Sequence, residues 1–553
     1  MQANSGSLRV NRVDLLTRQI MAGEIVWAHG RITAWQASGP LNPALPYLLP
    51  GFIDAHVHIE SSMLPPSEFA RIALRHGTVA TISDPHEIAN VLGIDGVRWM
   101  LDNAALVPFH FLFGAPSCVP ATGFETAGAQ LDAEAVGQLL DTPGVGYLSE
   151  VMNVPGVLAG DADLQAKIAA AQARGRPVDG HAPGLSGPGV AAYAASGITT
   201  DHECTNLVEA KAKLRSGMRI LLREGSAARD FAALHPLISE YPGLVMFCTD
   251  DFHPDDLQSG HINRLVARAV AAGHDVFDVL EAACMVPQRH YGLNLGSLKE
   301  GDAFNAVLVS DLTQFAVQAT WIDGRLLAEG GRSLLPFLPV RPINRFAAEA
   351  MDTAALSLRV GLPDGVYPCR VIEAADGELL TREGRAEVRC RAGYLQPDPA
   401  DDLLLLAVVN RYHPAPPALA LVRGFGLQRG AIASSVAHDS HNLIAVGCDA
   451  VVLAEVLNAL VATQGGLALC DGEMVQNLPL PIAGLMSASD GDTVAASYAA
   501  LTSAAREMLG SPMRAPFMTL AFMALLVIPE LKLSDRGLFD GRSFSFVETL
   551  VAA

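Results

Sequence analysis

The residues with the most chemical potential are two histidines one residue apart, His56 and His58, in Pro50-Gly-Phe-Ile-Asp-Ala-His-Val-His58. Side chains alternate along a strand, so this pair shares one face and can offer two imidazoles to one cation. The apolar lead-in Leu48, Leu49, Phe52 and Ile53 reads as a strand feeding a buried site. Taken alone, the pair fits two hydrogen-bonded histidines at a strand end equally well. Ligand-type residues recur downstream, in Ser83-Asp84-Pro85-His86-Glu87, Leu148-Ser149-Glu150, Asp179-Gly180-His181, Thr200-Asp201-His202-Glu203 and Cys248-Thr249-Asp250-Asp251. With only 16 histidines in 553 residues, that recurrence decides for the functional reading. Two histidines, a carboxylate, two more histidines and an aspartate suffice for two adjacent divalent metals. Imidazole and carboxylate donors suit manganese, iron or zinc, and no thiolate set favours a structural zinc. Two close cations lower the pKa of a shared water, and a nearby aspartate can carry its proton to a leaving group. This is hydrolytic chemistry on an electrophilic carbon.

Regular alternation positions these residues. Strand-like segments fall near 51–58, 77–83, 109–115, 145–151, 177–181, 198–202, 218–223 and 244–249. Helix-like segments fill 66–76, 94–105, 132–141, 161–175, 187–196, 206–216, 228–240 and 258–272. Eight alternations predict an α/β chain built on a (β/α)8 TIM-type barrel over 51–289, whose chemistry sits at the C-terminal strand ends. A doubly wound sheet is the alternative, disfavoured because no G-x-G-x-x-G follows a first strand. Glu24–Ala28 and Arg31–Trp35, around a His29-Gly30 turn, read as β pieces, as do 293–309 and 319–326. Residues 1–50 and 290–345 are therefore expected to build one small β-sandwich domain, and 346–553 a C-terminal α/β domain.

Composition narrows the partners. Half the residues are hydrophobic and the net charge is −20, which argues against nucleic acid or an anionic membrane and suits a small-molecule substrate. The eight cysteines form no C-x-x-C pair, as in reduced cytosolic proteins. The start Met1-Gln-Ala-Asn-Ser-Gly6 shows no signal pattern, and no apolar run approaches a membrane span. A cytoplasmic homo-oligomer is expected.

The constellation resembles the amidohydrolase superfamily of metal-dependent hydrolases. The longer strings Gly51–Met63, Ser83–Gly93, Gly180-His-Ala-Pro-Gly184, Thr200-Asp-His-Glu-Cys-Thr205, Cys248–Asp251 and Val436–Gly447 are similar to those of the bacterial adenine deaminases. The resemblance implies hydrolysis of adenine to hypoxanthine and ammonia, a purine-salvage reaction at a C–N bond of a cyclic amidine. It implies a binuclear centre, manganese or iron foremost and zinc also accommodated, held by His56, His58, Glu150, His181, His202 and Asp250. Many superfamily members bridge their metals with a carboxylated lysine, and here Glu150 stands at that place. Asp250 is the expected proton shuttle, with Glu150 and Glu203 the other catalytic acids, Glu203 serving a ring nitrogen. Asp84, His86 and Asp251 are candidates for an additional metal or for supporting the ligands. Ser61, Ser62, His438 and His441 are candidates for contacting substrate. Two other readings stay open: an amidohydrolase acting on a cyclic amide or substituted purine, and a scaffold that has lost the chemistry. The filled ligand positions count against the scaffold.

Overall fold

The computed structural model describes residues 4–551, so Met1–Ala3 of the start read above for a signal lie outside it. The chain forms two compact units, Met1–Pro85 with Arg98–Ser117 and Asp132–Leu338, and His86–Val97 with Cys118–Leu131 and Pro339–Ala553.

In the first unit, chain start and post-barrel segment share one eight-stranded sheet. Its order is Arg332–Ser333, Arg325–Glu329, Val317–Ile322, Ala306–Val309, Tyr47–Pro50, Gly6–Asp14, Gln19–Ala28 and Arg31–Pro40. The strands flanking His29-Gly30 run longer than the sequence suggests. That two-residue turn has φ of +52° and +79°, the left-handed pair that matches strand twist in a tight hairpin. Trp27 stacks on Phe304 at 4.3 Å between ring centroids, tying the early strands to the late ones. Tyr47–Pro50, antiparallel to Ala306–Val309, runs straight into the barrel and fixes where its first strand begins.

The barrel strands are β1 (Phe52–His58), β2 (Thr78–Ser83), β3 (His110–Ala115), β4 (Val145–Val151), β5 (Val178–Gly180), β6 (Thr200–Asp201), β7 (Arg219–Arg223) and β8 (Val245–Cys248). Neighbours from β1 to β5 and from β6 to β8 pair in parallel. Between β5 and β6, Thr199 N–H donates to Val178 C=O at 2.8 Å. Asp250–Asp251 continues β8 and pairs with Val57 and His58, closing the ring on β1. Every residue of β1 and β2 is buried, as expected of parallel strands covered on both faces. Phe52, Ile220, Leu222, Val245 and Phe247 share a core cluster with Leu265, Val266 and Ala269 of the helix Ile262–Ala271. The helix expected over 228–240 is instead two short turns, Phe231–Leu234 and Leu237–Glu240. Pro236 lies at the break, lacking the N–H that a continuous helix needs.

In the second unit a nine-stranded sheet runs Tyr394–Leu395, Arg382–Arg391, Gly365–Glu373, Ala418–Arg423, Leu404–Val409, Leu443–Gly447, Ala431–Ser434, Gly466–Cys470 and Val475–Pro479. It is antiparallel except where Gly365–Glu373 meets Ala418–Arg423. The helix Ala450–Thr463, capped by Asp449, buries Leu453, Val456, Leu457 and Leu460. All eight cysteines are free and buried. Among the described residues no helix is long and apolar enough to cross a membrane.

Candidate active site

The site is pinned from beneath by a carboxylate within the opening motif. Asp54 is fully buried on β1 and accepts hydrogen bonds from Thr249 N–H at 3.0 Å and from Thr249 Oγ1. His261 Nε2 lies 2.9 Å from the same carboxylate, and its Nδ1 lies 2.7 Å from Thr78 Oγ1 on β2. One side chain thus fixes the end of β8 against β1, setting Asp250 beside the two histidines.

There the donors converge. His56 Nε2 and His58 Nε2 are 3.2 Å apart, and Asp250 Oδ1 stands 3.4 Å from the first and 3.0 Å from the second. Donors about 2.1 Å from one cation lie about 3.0–3.4 Å from each other, so this triangle has the edge lengths of a coordination face. His58 Nδ1 is 3.1 Å from the Asp84 carbonyl; a proton donated there leaves the Nε2 lone pair facing the site. Asp250 has φ of +56°, a left-handed conformation uncommon for a non-glycine residue, maintained here by the Asp54–Thr249 bonds next to it.

Glu150, at the end of β4, faces two groups at once. Its Oε1 is 3.5 Å from His58 Nε2, and its Oε2 is 2.8 Å from His181 Nδ1 and 3.1 Å from His202 Nε2. His56 and His202 stack with ring centroids 4.1 Å apart. A second buried network holds His181 and His202. Asp201 accepts from Ala182 N–H at 2.9 Å and Glu203 N–H at 2.8 Å, while Lys213 Nζ, 3.2 Å from Asp201, donates to the Ala182 carbonyl at 2.6 Å. The turns after β5 and β6 are therefore locked together.

Charge completes the picture. Three buried carboxylates, Glu150, Glu203 and Asp250, line the site, and Arg223 at the end of β7 ion-pairs with Glu203, stands 2.9 Å from Asp250 Oδ2 and also pairs with Asp230. Burial alone would raise Glu150, yet His181 and His202 hold it well below the usual carboxylate range. Burial would likewise lower His181, but Glu203 and Glu150 push it up to about 9. The buried His202 Nε2 faces the Glu150 carboxylate at 3.1 Å. An excess of anionic donors and coordination-length spacing among imidazoles and carboxylates together fit a divalent cation.

Comparison with known proteins agrees with this geometry. Residues 47–327 match the amidohydrolase family model and residues 378–545 the adenine deaminase C-terminal domain model. The adenine deaminase of Salinibacter ruber is 56% identical over 91% of this chain and 92% of its own length. Those of Sulfurovum sp. (50% identical, 98% of this chain and 99% of that protein) and Parabacteroides distasonis (44%, all of both) are similar from end to end. The chain belongs to the adenine deaminase family. Amidohydrolase membership implies a divalent metal, and the His, Asp and Glu cluster supplies donors for one.

The other residues singled out in this adenine deaminase family chain fall in several places. Asp251 lies beside the donors but accepts a hydrogen bond from Ser61 Oγ at 2.5 Å. Ser62 Oγ donates to the Ile59 carbonyl at 2.6 Å, closing the turn after β1. Asp84 accepts from Ser149 Oγ at 2.7 Å, next to Glu150 in sequence. His86, His438 and His441 belong to the second unit, gathered around Glu87. Arg223, Asp54 and Glu87 were not singled out from the sequence. Arg223 is an arginine at a barrel strand end, the same positional signal that finds Glu150 and His181.

Proposed function

We propose that this chain hydrolyses adenine to hypoxanthine and ammonia, with His56, His58, Glu150, His181, His202 and Asp250 as ligands of a binuclear centre of manganese or iron. The reading rests on Glu150, whose two oxygens divide between His58 on one side and His181 and His202 on the other. A carboxylate shared in this way suits two cations better than one. Full-length similarity to adenine deaminases supports the substrate. When bound, the cations would lower the pKa of water and stabilise negative charge developing on oxygen.

The protein's own groups then handle protons. Water adds its oxygen to the purine carbon bearing the amine, and its two protons end on the ring nitrogen and on the departing ammonia. Asp250 takes one proton and delivers it to the amine as the carbon–nitrogen bond breaks. Glu203, held by its ion pair with Arg223, accepts the other proton and hands it to the ring nitrogen. Ser61, by fixing Asp251, shapes the wall beside Asp250. The enzyme acts as a cytoplasmic homo-oligomer in purine salvage.

The test is a substrate panel on full-length protein loaded with manganese, following ammonia release from adenine, substituted purines and cyclic amides. Adenine should be turned over fastest. A cyclic amide opened faster than adenine would replace this reading with that of an amidohydrolase acting on a cyclic amide.

A further inference from the structure

The first unit holds a cavity of about 110 Å³ between the loop that follows β7 and the helix Ile262–Ala271. No residue assigned to the metals lines it. A site that engulfs a drug-sized ligand has roughly 300–1,000 Å³. This one suits an ion with a few waters, at about 30 Å³ for each water.

Its lining is cationic. Arg229, Arg264 and Arg268 stand there against two carboxylates, Glu224 and Asp256, in a chain whose net charge is −20. Arg264 donates from Nη1 to the Ser259 hydroxyl at 2.7 Å and has no carboxylate partner among the described residues. Arg229 donates from Nε to the Gly225 carbonyl at 3.1 Å and from Nη2 to the Ser226 carbonyl at 3.2 Å, with Asp256 3.5 Å away. Arg268 ion-pairs with Glu224 and lies over the Phe231 ring at 4.5 Å. A guanidinium has five N–H donors, so each of the three is held in place with donors to spare. The side chains of Arg229 and Arg268 are 39% and 46% exposed, which gives an ion a way in from solvent.

The helix on one wall is built against its own dipole. Its first turn carries no acidic residue, and the side chain of its N-cap, His261, makes no capping bond, being engaged with Asp54 and Thr78. Arg264 occupies that first turn, where a cation is unfavourable, and Arg268 follows four residues later on the same face. Helix stability accounts for neither choice. An anion in the cavity would offset the dipole and both like charges together.

The facing loop is fixed to receive it. Glu224 and Arg229 form an antiparallel bridge, and Ser226 N–H donates to the Asp251 carbonyl at 2.9 Å. A Cβ at Gly225 would come to 2.9 Å from the Thr249 and Asp251 carbonyls, so glycine is what lets this loop lie against the segment after β8. The loops after the seventh and eighth strands are also where (β/α)8 barrels frequently bind phosphate.

We propose that Arg229, Arg264 and Arg268 bind a phosphate group in this cavity, as the free ion or as the phosphoryl end of a small metabolite. Bound there, it bridges the loop after β7 to the helix after β8 and braces the two segments that follow Arg223 and Asp250.

The test is calorimetric titration of full-length, manganese-loaded protein with inorganic phosphate and, separately, ribose 5-phosphate, at constant ionic strength set with chloride. The melting temperature should rise with the concentration of whichever ligand binds. Tighter binding of inorganic phosphate identifies the free ion as occupant; tighter binding of ribose 5-phosphate identifies a phosphorylated metabolite. Either result requires that Arg229→Gln combined with Arg264→Gln weaken binding by about a hundredfold or more, at about tenfold or more for each hydrogen bond lost to a charged group. Arg264→Gln alone gives up only the Ser259 contact, so it keeps the test open if the double variant fails to fold, with about a tenfold loss expected. Absence of binding by both ligands, or a dissociation constant that these substitutions leave unshifted, overturns the proposal.

Discussion

Arg223 Nη1 stands 2.9 Å from Asp250 Oδ2 while also ion-pairing with Glu203, so one guanidinium holds both acids assigned to proton transfer. Burial raises Asp250, and its bonds to His56 and His58 with the charge of Arg223 bring it well below the usual range. Arg223→Met should reduce kcat by about 10²–10³-fold, as loss of a fixed electrostatic partner in a buried site does. Removing the cation raises the Asp250 pKa, so the acidic limb of the pH–rate profile should move to higher pH. Arg223→Lys should restore part of both. An unmoved limb would reduce Arg223 to a structural pair.

Glu150→Gln keeps shape and removes the charge between the two histidine groups. Metal content should fall by one equivalent and turnover by about three orders of magnitude or more, since the remaining donors no longer serve both cations. Elemental analysis alongside a deamination assay checks both.

The adjacent aspartates should separate cleanly. Asp250→Asn should abolish turnover, whereas Asp251→Asn should match Ser61→Ala, because Asp251 accepts the Ser61 hydroxyl. Both of the latter are expected to lower kcat/KM by about tenfold, consistent with one lost hydrogen bond of about 1–1.5 kcal/mol. Steady-state kinetics of the three variants decides.

Lys532 gives the second unit a pH dependence. Burial lowers this amine to about 7, and its nitrogen donates to the carbonyls of Leu379 and Phe522, a match for the two protons of a neutral amine. The folded state binds fewer protons than the unfolded one between about pH 7 and 10.5. Stability should therefore rise with pH across that window and be lowest, by about 3–5 kcal/mol, below it. Lys532→Met should flatten the dependence in denaturant titrations at several pH values.

The barrel was legible because parallel strands buried on both faces write themselves as apolar runs, and because the C-terminal-face rule turns each run's end into a candidate position. That rule found Glu150, His181, His202 and Asp250. It passed over Arg223, since Arg219-Ile-Leu-Leu-Arg223 reads as a strand with basic flanks and guanidinium groups are not metal ligands. Asp54 was hidden for another reason. It lies in the opening motif, but its partners Thr249 and His261 are some 200 residues away, and only the closed ring brings them together.

The second unit was less readable. The dense His438-Asp439-Ser440-His441-Asn442 string marks a loop with polar work to do, yet nothing local names Glu87 as its partner. The sheet order there interleaves late and early strands, as in Leu404–Val409 beside Leu443–Gly447, and pairing at such range is set by packing rather than by any period along the chain.

The division of the chain also bears on synthesis. His86–Val97 and Cys118–Leu131 leave the ribosome long before Pro339–Ala553, the remainder of the unit to which they belong. Those early segments carry buried residues such as Ile88, Val91 and Leu131, so a nascent chain holds apolar surface that its own unit is not yet present to cover. Final assembly of the second unit must therefore be post-translational or nearly so, and no single cut can release either unit intact. Premature termination anywhere before the last strands would leave the early part of the protein with an unfinished partner, a natural target for chaperones and for proteolytic quality control.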